Sequence, residues 1–305
     1  MSRYFTDRLA RYSVFIAGLV SFIVLLAIAV FVIKDGLPVF KEVGFFDFLF
    51  GTVWRPTNGQ YGILTMIVGS VVVTIGSLLL AVPLGIACAI LLAEVAPFRV
   101  RQFLRPAVEL LVGIPSVVYG LVGLILLVPA IREIAGNGFS VLAASIVLMA
   151  MVLPTIISIS EDSIRAVPDS YREGALALGA TQWQMIWRVI LPAARSGIGA
   201  GVVLGMGRAV GETMAMLMVI GNSIIFPIFK YTPVEWLQWV PEWVISPFAP
   251  GRTLTGNIAV EINYATGVHQ DALFATGIVL LVFILLLNSI AVITLKRGTH
   301  AQAVT

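Results

Sequence analysis

Glu173-Gly174-Ala175, three residues, Gly179, nine residues, then Val189-Ile190-Leu191-Pro192: this spacing sits in a polar, basic stretch, 161–196, between two hydrophobic runs. Its setting decides how the chain is read. The 305 residues are 59% hydrophobic and only 11% charged, with a mean hydropathy of +1.01. A soluble domain of this length carries roughly a quarter charged residues, so the composition describes a polytopic membrane protein with polar connectors and excludes a single water-soluble core.

Working outward, apolar windows run about 14–33, 107–129, 139–160, 197–221 and 272–295. A sixth, about 62–93, exceeds the ~20 residues a span requires and contains Pro83, which predicts a kink or strong tilt. The fold class expected is an all-α membrane protein with six transmembrane helices. The first run follows Arg3, Arg8 and Arg11 but is too long for a signal-peptide core, so it reads as a retained helix. Cys88 is the only cysteine and allows no internal disulfide. Of the 19 lysines and arginines, twelve fall in the N-terminus, 94–106, 161–196 and the C-terminal tail, against six in 34–60, 130–138 and 222–271. That bias predicts both termini inside the cell and the last three segments outside. The basic balance therefore reflects topology, and no nucleic-acid partner is expected.

Segment 34–60 holds Phe45, Phe46, Phe48, Phe50 and Trp54, and segment 222–271 holds Trp236, Trp239 and Trp243 at i, i+3, i+7. Such aromatics serve as interfacial anchors or as contacts for an outer partner; anchoring is the simpler reading. Gly113-Ile114-Pro115-Ser116 predicts a bent helix. Gly197, Gly201 and Gly205, spaced every four residues, predict a face that another helix approaches closely.

Arg208 and Glu212 lie inside the fifth window, Arg208 about 16 Å along a helix begun at 197. Each charge costs ~2.5–3.5 kcal/mol at mid-membrane even on the lenient insertion scale. At i, i+4 they can form a packing salt bridge, or they can serve a translocation path. Arginine suits a tetrahedral oxyanion through its planar fork, with glutamate holding the guanidinium in place. These residue types do not name the anion. Neither G-x-S-x-G nor H-E-x-x-H occurs, His269 and His300 flank the last window, and there is no Walker A sequence, so no catalytic, cofactor or metal site is assigned.

The 161–196 spacing resembles the EAA loop of ATP-binding-cassette importer permeases, E-A-A, three residues, G, nine residues, I-x-L-P. Glu173, Ala175, Gly179, Leu191 and Pro192 match, while Gly174 and Val189 stand in the motif's second and isoleucine slots. Tyr61-Gly62-Ile63-Leu64, Val82-Pro83-Leu84-Gly85-Ile86, Leu91-Leu92-Ala93-Glu94, Glu109 to Gly120, Gly207 to Ala215 and Leu273-Phe274-Ala275 are similar to PstC-type phosphate permeases, so the resemblance covers about 60–295. It implies the MetI-like type I importer fold, with 1–60 an appendage (first helix and outer loop), 61–295 the permease core and 296–305 a cytoplasmic tail. It further implies that Glu173, Gly174, Ala175, Gly179, Leu191 and Pro192 couple the chain to an ATPase, and that Arg208 and Glu212 are essential to the substrate pathway. The partners implied are a homologous second permease (PstA-type), two ATPase subunits (PstB-type), an outer phosphate-binding protein (PstS-type), phosphate and membrane lipid. The location implied is the inner or plasma membrane.

Overall fold

The computed structural model describes residues 2–227 and 245–300. Helix α1 (Ser2–Val39) continues through a π-turn, Phe40–Gly44, into α2 (Phe45–Phe50). A two-residue hairpin, β1 (Trp54–Arg55) and β2 (Gln60–Tyr61), pairs Trp54 with Tyr61 and leads to α3 (Leu64–Ile90) and its π-turn, Leu91–Val95. Then come α4 (Phe98–Val112), α5 (Ser116–Val122), α6 (Val128–Ala135) and α7 (Val141–Arg165). The connector carries α8 (Asp169–Ala177) and α9 (Gln182–Met185), which runs by a π-turn into α10 (Leu191–Gly211). Helices α11 (Met214–Val219), α12 (Leu254–Glu261) and α13 (Val268–His300) complete the described chain. Among the described residues six helical stretches are long and apolar enough to span a membrane: Asp7–Phe50, Leu64–Val95, Ser116–Ala135, Val141–Arg165, Gln182–Gly211 and Val268–Ile290.

Helix α7 is the hub, packed against α3 on one side and α10 on the other, while α1 lies along α13. Ser140 caps α7 by accepting from the Ala143 N–H at 3.2 Å, and Arg165 closes it against the negative end of the helix. The hub is apolar on most faces, with Val147, Leu148, Met151, Val152 and Ile156 all buried, as a helix surrounded by others must be. The glycine stripe makes the α7–α10 contact. A Cβ built on Gly201 would stand 3.2 Å from Ile159 Cβ, one on Gly205 3.0 Å from Ile156 Cγ1, and one on Gly197 would strike the Ser163 side chain.

Three expectations change. The window 107–129 is not one bent helix: α4 stops at Val112, Pro115 starts a new helix, and the apolar span is Ser116–Ala135. Proline removes a donor and glycine loosens the chain just before it, so the helix breaks outright; the Tyr119 hydroxyl, donating to the Leu111 carbonyl at 2.9 Å, satisfies a group the break frees. The segment 34–60 is largely helical. Of its aromatics Phe48 and Trp54 are buried, so these two are core rather than anchors, whereas Phe45, Phe46 and Phe50 are exposed. Third, α10 ends at Gly211, ten residues before the window's end. Trp236, Trp239 and Trp243, and residues 301–305 of the tail, lie outside the described residues.

Candidate coupling and translocation sites

The connector after α7 is built by local rules. Gly179, with φ +81°, ends α8 in a left-handed turn: its N–H donates to the Leu176 carbonyl at 2.9 Å, and the Ala180 N–H reaches the Ala175 carbonyl at 3.1 Å. This two-bond closure needs a residue free of the Cβ penalty. Two residues on, Thr181 accepts from the Gln184 N–H at 3.3 Å, while Gln184 Oε1 accepts from the Thr181 N–H at 3.0 Å, a reciprocal cap that starts the next helix. The cap was readable as Thr-x-x-Gln in the sequence and was overlooked.

Helix α8 has two faces. Inward, Ala175 is buried with Val167, Met185, Ile186, Ile190, Ala194 and Ile198. Arg172 Nη2 meets Glu94 Oε1 at 2.7 Å and donates to the Ile164 carbonyl at 3.0 Å, while Nη1 pairs with Asp169 at 3.1 Å. The Glu94 hydrogen bond is the largest cause that pushes the Arg172 guanidinium above its ordinary value. Outward, Tyr171, Glu173, Gly174 and Leu178 are exposed, Leu178 to 91%. Nothing lies within 4 Å of a Cβ built on Gly174 or Gly179. The six residues singled out thus divide: Glu173, Gly174 and Gly179 are on the free face, Ala175 on the packed face, and Leu191 and Pro192 are half-buried where α10 begins. A short helix held rigidly to the bundle with one open, partly apolar face is suited to bind another protein.

The second site is where α10 breaks. Because the helix starts early, at the capped α9, and stops at Gly211, Arg208 occupies its last turn instead of the middle of a span. Glu212 is extended, with ψ 129°. Its carboxylate turns forward to accept from the Ala215 N–H at 3.1 Å, and its carbonyl accepts from Thr255 Oγ1 at 3.1 Å. The expected helical i, i+4 neighbourhood is therefore lost, and among the described residues no ion pair joins Arg208 to Glu212 or to any other carboxylate. Arg208 Nη1 has one long contact, 3.5 Å, to Thr155 Oγ1 on α7. Glu212 borders a small polar cleft with Ser70, Thr74, Thr253 and Thr255. Arg208 is not among the residues that line this cleft; it is a half-buried guanidinium with no carboxylate partner among the described residues.

The sequence reading missed a third cluster. Glu261 accepts from Trp54 Nε1 at 2.8 Å, pairs with Arg252 at 2.6 Å and contacts His269 Nε2 at 2.8 Å, so α12, the hairpin and the start of α13 are tied at one carboxylate. Arg252 and His269 lie nine and eight residues from Glu261, but Trp54 comes from 207 residues away, and no sequence spacing announces that contact.

The described chain is a polytopic helical bundle with a short, partly exposed helix, α8, between two of its six apolar spans. The chain belongs to the binding-protein-dependent transport system inner membrane components, whose family model matches residues 81–297. A probable ABC transporter permease protein, YqgH of Bacillus subtilis, is 45% identical over 274 residues, covering 86% of this chain and 83% of that protein. The phosphate transport system permease protein PstC of Xylella fastidiosa is 35% identical over 272 residues (82% and 77%). Among solved structures, a bacterial alginate ABC transporter in complex with an alginate pentasaccharide-bound periplasmic protein aligns with TM-score 0.61 at 19% identity, over 93% of this chain and 94% of that one. The MetNI methionine ABC transporter, in an inward-facing conformation, aligns at 0.59 and 18% identity (81% and 99%). The fold is that of type I ABC importer permeases. The protein is a membrane-embedded, multi-pass permease subunit of an ABC importer, a kind of subunit that has no ATPase site and works with ATPase and binding-protein partners.

Proposed function

We propose that this chain forms half of an inward path for inorganic phosphate, as the PstC-type subunit beside a PstA-type permease, two PstB-type ATPases and an outer PstS-type phosphate-binding protein. The observation that carries the reading is Arg208, set at the broken end of α10 with no carboxylate partner among the described residues. Relatives at 30–35% identity over most of the chain, named phosphate transport system permease proteins, support the choice of anion. Residues 61–295 act as the permease core, and both termini face the cytoplasm with 161–196. The free face of α8, with Glu173, Gly174 and Gly179, docks on an ATPase, and Ala175, Leu191 and Pro192 hold that helix to the bundle. ATP-driven closure of the motor then moves α8 and the spans packed on it, opening the path past Arg208 and Glu212.

The test is reconstitution of the purified four-component complex into liposomes. ATP-dependent uptake of phosphate, uncompeted by sulfate or molybdate, is expected; uptake of another oxyanion in preference would leave the permease assignment intact and overturn the substrate.

A further inference from the structure

Between Ser145 and Ser158 the hub helix α7 carries twelve residues, and Thr155 is the one hydroxyl among them. Valine has nearly the same shape and would fill this place in an apolar hub with no polar group to satisfy. Helix packing decides what Thr155 meets instead. Gly205 lets α10 close on α7, where a Cβ built on it would stand 3.0 Å from Ile156 Cγ1. Arg208 follows Gly205 by three residues, on the same side of α10, and Thr155 directly precedes Ile156. Arg208 Nη1 thus comes to 3.5 Å from Thr155 Oγ1, and both residues are half-buried rather than sealed in the core.

The hydroxyls of α7 differ in where their protons go. Ser145 and Ser163 donate to the carbonyls four residues back, at 2.8 and 2.6 Å. Ser160 Oγ has no partner but is fully buried against Gly201. Thr155 is reachable, and among the described residues its only hydrogen-bond partner is Arg208, which donates. Its own O–H is therefore uncommitted. The Tyr119 phenol, within range of the Arg208 charge, has its proton on the Leu111 carbonyl at 2.9 Å. A cation without a carboxylate partner and a free hydroxyl donor therefore adjoin, one on each of two packed helices.

We propose that Thr155 is a second ligand for the transported oxyanion, donating its hydroxyl hydrogen to one oxygen while Arg208 holds others. The inference rests on the reading that Arg208 lines the path. A planar guanidinium meets a tetrahedral anion from one side only. A hydroxyl on a neighbouring helix supplies a donor from a second direction. The Thr155 oxygen meanwhile accepts from Nη1, so the two donors keep a fixed relation to each other.

The test uses the complex reconstituted in liposomes with the outer binding protein and reads phosphate imported per ATP hydrolysed. Thr155→Val keeps the volume and branching and removes only the hydroxyl. It is expected to lower that ratio about tenfold or more, the share of one hydrogen bond to a charged group, while the complex assembles and keeps its basal ATPase activity. Thr155→Ser returns the hydroxyl without the methyl and is expected to recover most of the wild-type ratio. A wild-type ratio in Thr155→Val overturns the proposal. So does a ratio in Thr155→Ser as low as in Thr155→Val, because the methyl's packing would then be what counts. If Thr155→Val assembles poorly, Thr155→Ala, read per assembled complex, is judged by the same two outcomes. Arg208→Gln, run alongside, separates the two readings. Full uptake in that variant defeats the path assignment itself, whereas a dead Arg208→Gln beside a wild-type Thr155→Val defeats only the role of Thr155.

Discussion

Glu94, at the end of the span that begins with α3, and Arg172, in the first turns of α8, meet at 2.7 Å across 78 residues of sequence, with side chains only 7% and 18% exposed. Arg172 also donates to the Ile164 and Val167 carbonyls at the end of α7. One guanidinium thus ties two spans to the helix proposed to receive the motor. Removing one partner of a buried pair strands the other, at about 3 kcal/mol. Arg172→Ala is expected to lower the amount of assembled complex. Glu94→Gln keeps an acceptor and is expected to assemble, yet to transport several-fold less substrate per ATP hydrolysed. A wild-type ratio in Glu94→Gln would mean the pair is only a brace.

The same pair carries a pH expectation. Arg172 is raised above its ordinary value, first by the Glu94 hydrogen bond. A cation with a raised folded pKa contributes fully below its unfolded value and loses that contribution only as pH climbs past the folded one. Through the neutral range the arginine's charge does not change, so a fall in coupling ratio between mildly acidic and mildly alkaline buffer must come from another group. The comparison of wild type and Arg172→Lys across that range checks it.

Gly179 and Gly174 are both exposed but make opposite forecasts. Gly179 is at φ +81°, where a Cβ costs about 1–2 kcal/mol. Gly179→Ala should lower thermal stability by that amount and Gly179→Asn by less, since asparagine visits this region. Gly179→Asp adds a charge at the docking turn as well and is expected to uncouple hydrolysis from uptake. Gly174 is helical with open space around it, so Gly174→Ala should stabilise by about 1 kcal/mol. Thermal unfolding of the purified complex ranks all four.

Why the loop was legible and the spans only in part follows from which forces are local. Gly179, the capped Thr181 turn and the glycine stripe at Gly197, Gly201 and Gly205 act over a few residues, and spacing records them. The break after Val112 was legible only as a bend, because hydropathy is blind to which carbonyl Tyr119 can satisfy nearby. The end of α10 was missed for a similar reason. Glu212 leaves the helix to cap α11 while Thr255, 43 residues away, holds its carbonyl. Glu261 was invisible: Trp54, one of its partners, is 207 residues distant.

Orientation is open to a direct check. Single cysteines at Asn58 and Ser170, in a Cys88→Ser background, stand at opposite ends of the proposed topology. An impermeant thiol reagent applied to intact cells is expected to label Asn58→Cys and spare Ser170→Cys. The reverse pattern would invert the chain in the membrane.

Arg208 and Glu212 carry the sharpest forecast, because their separation removes the salt-bridge explanation for two charges in one span. Had they neutralised each other, either change alone would strand a charge, and a double apolar replacement would restore the protein. Instead Glu212 holds the Ala215 N–H at the start of α11, and Arg208 has only the long contact to Thr155. A divalent anion in a low-dielectric path needs a fixed cation, since its unpaired cost there is prohibitive. Arg208→Gln is therefore expected to abolish uptake while the complex assembles and keeps its basal ATPase activity. Arg208→Lys keeps the charge without the planar fork and should be partly active at best. Glu212→Gln retains an acceptor for Ala215, so the turn survives; a large loss of uptake in that variant would show that the carboxylate's charge, and not its cap, matters for transport. Restoration of full uptake by replacing both with apolar residues would contradict the path assignment for the pair.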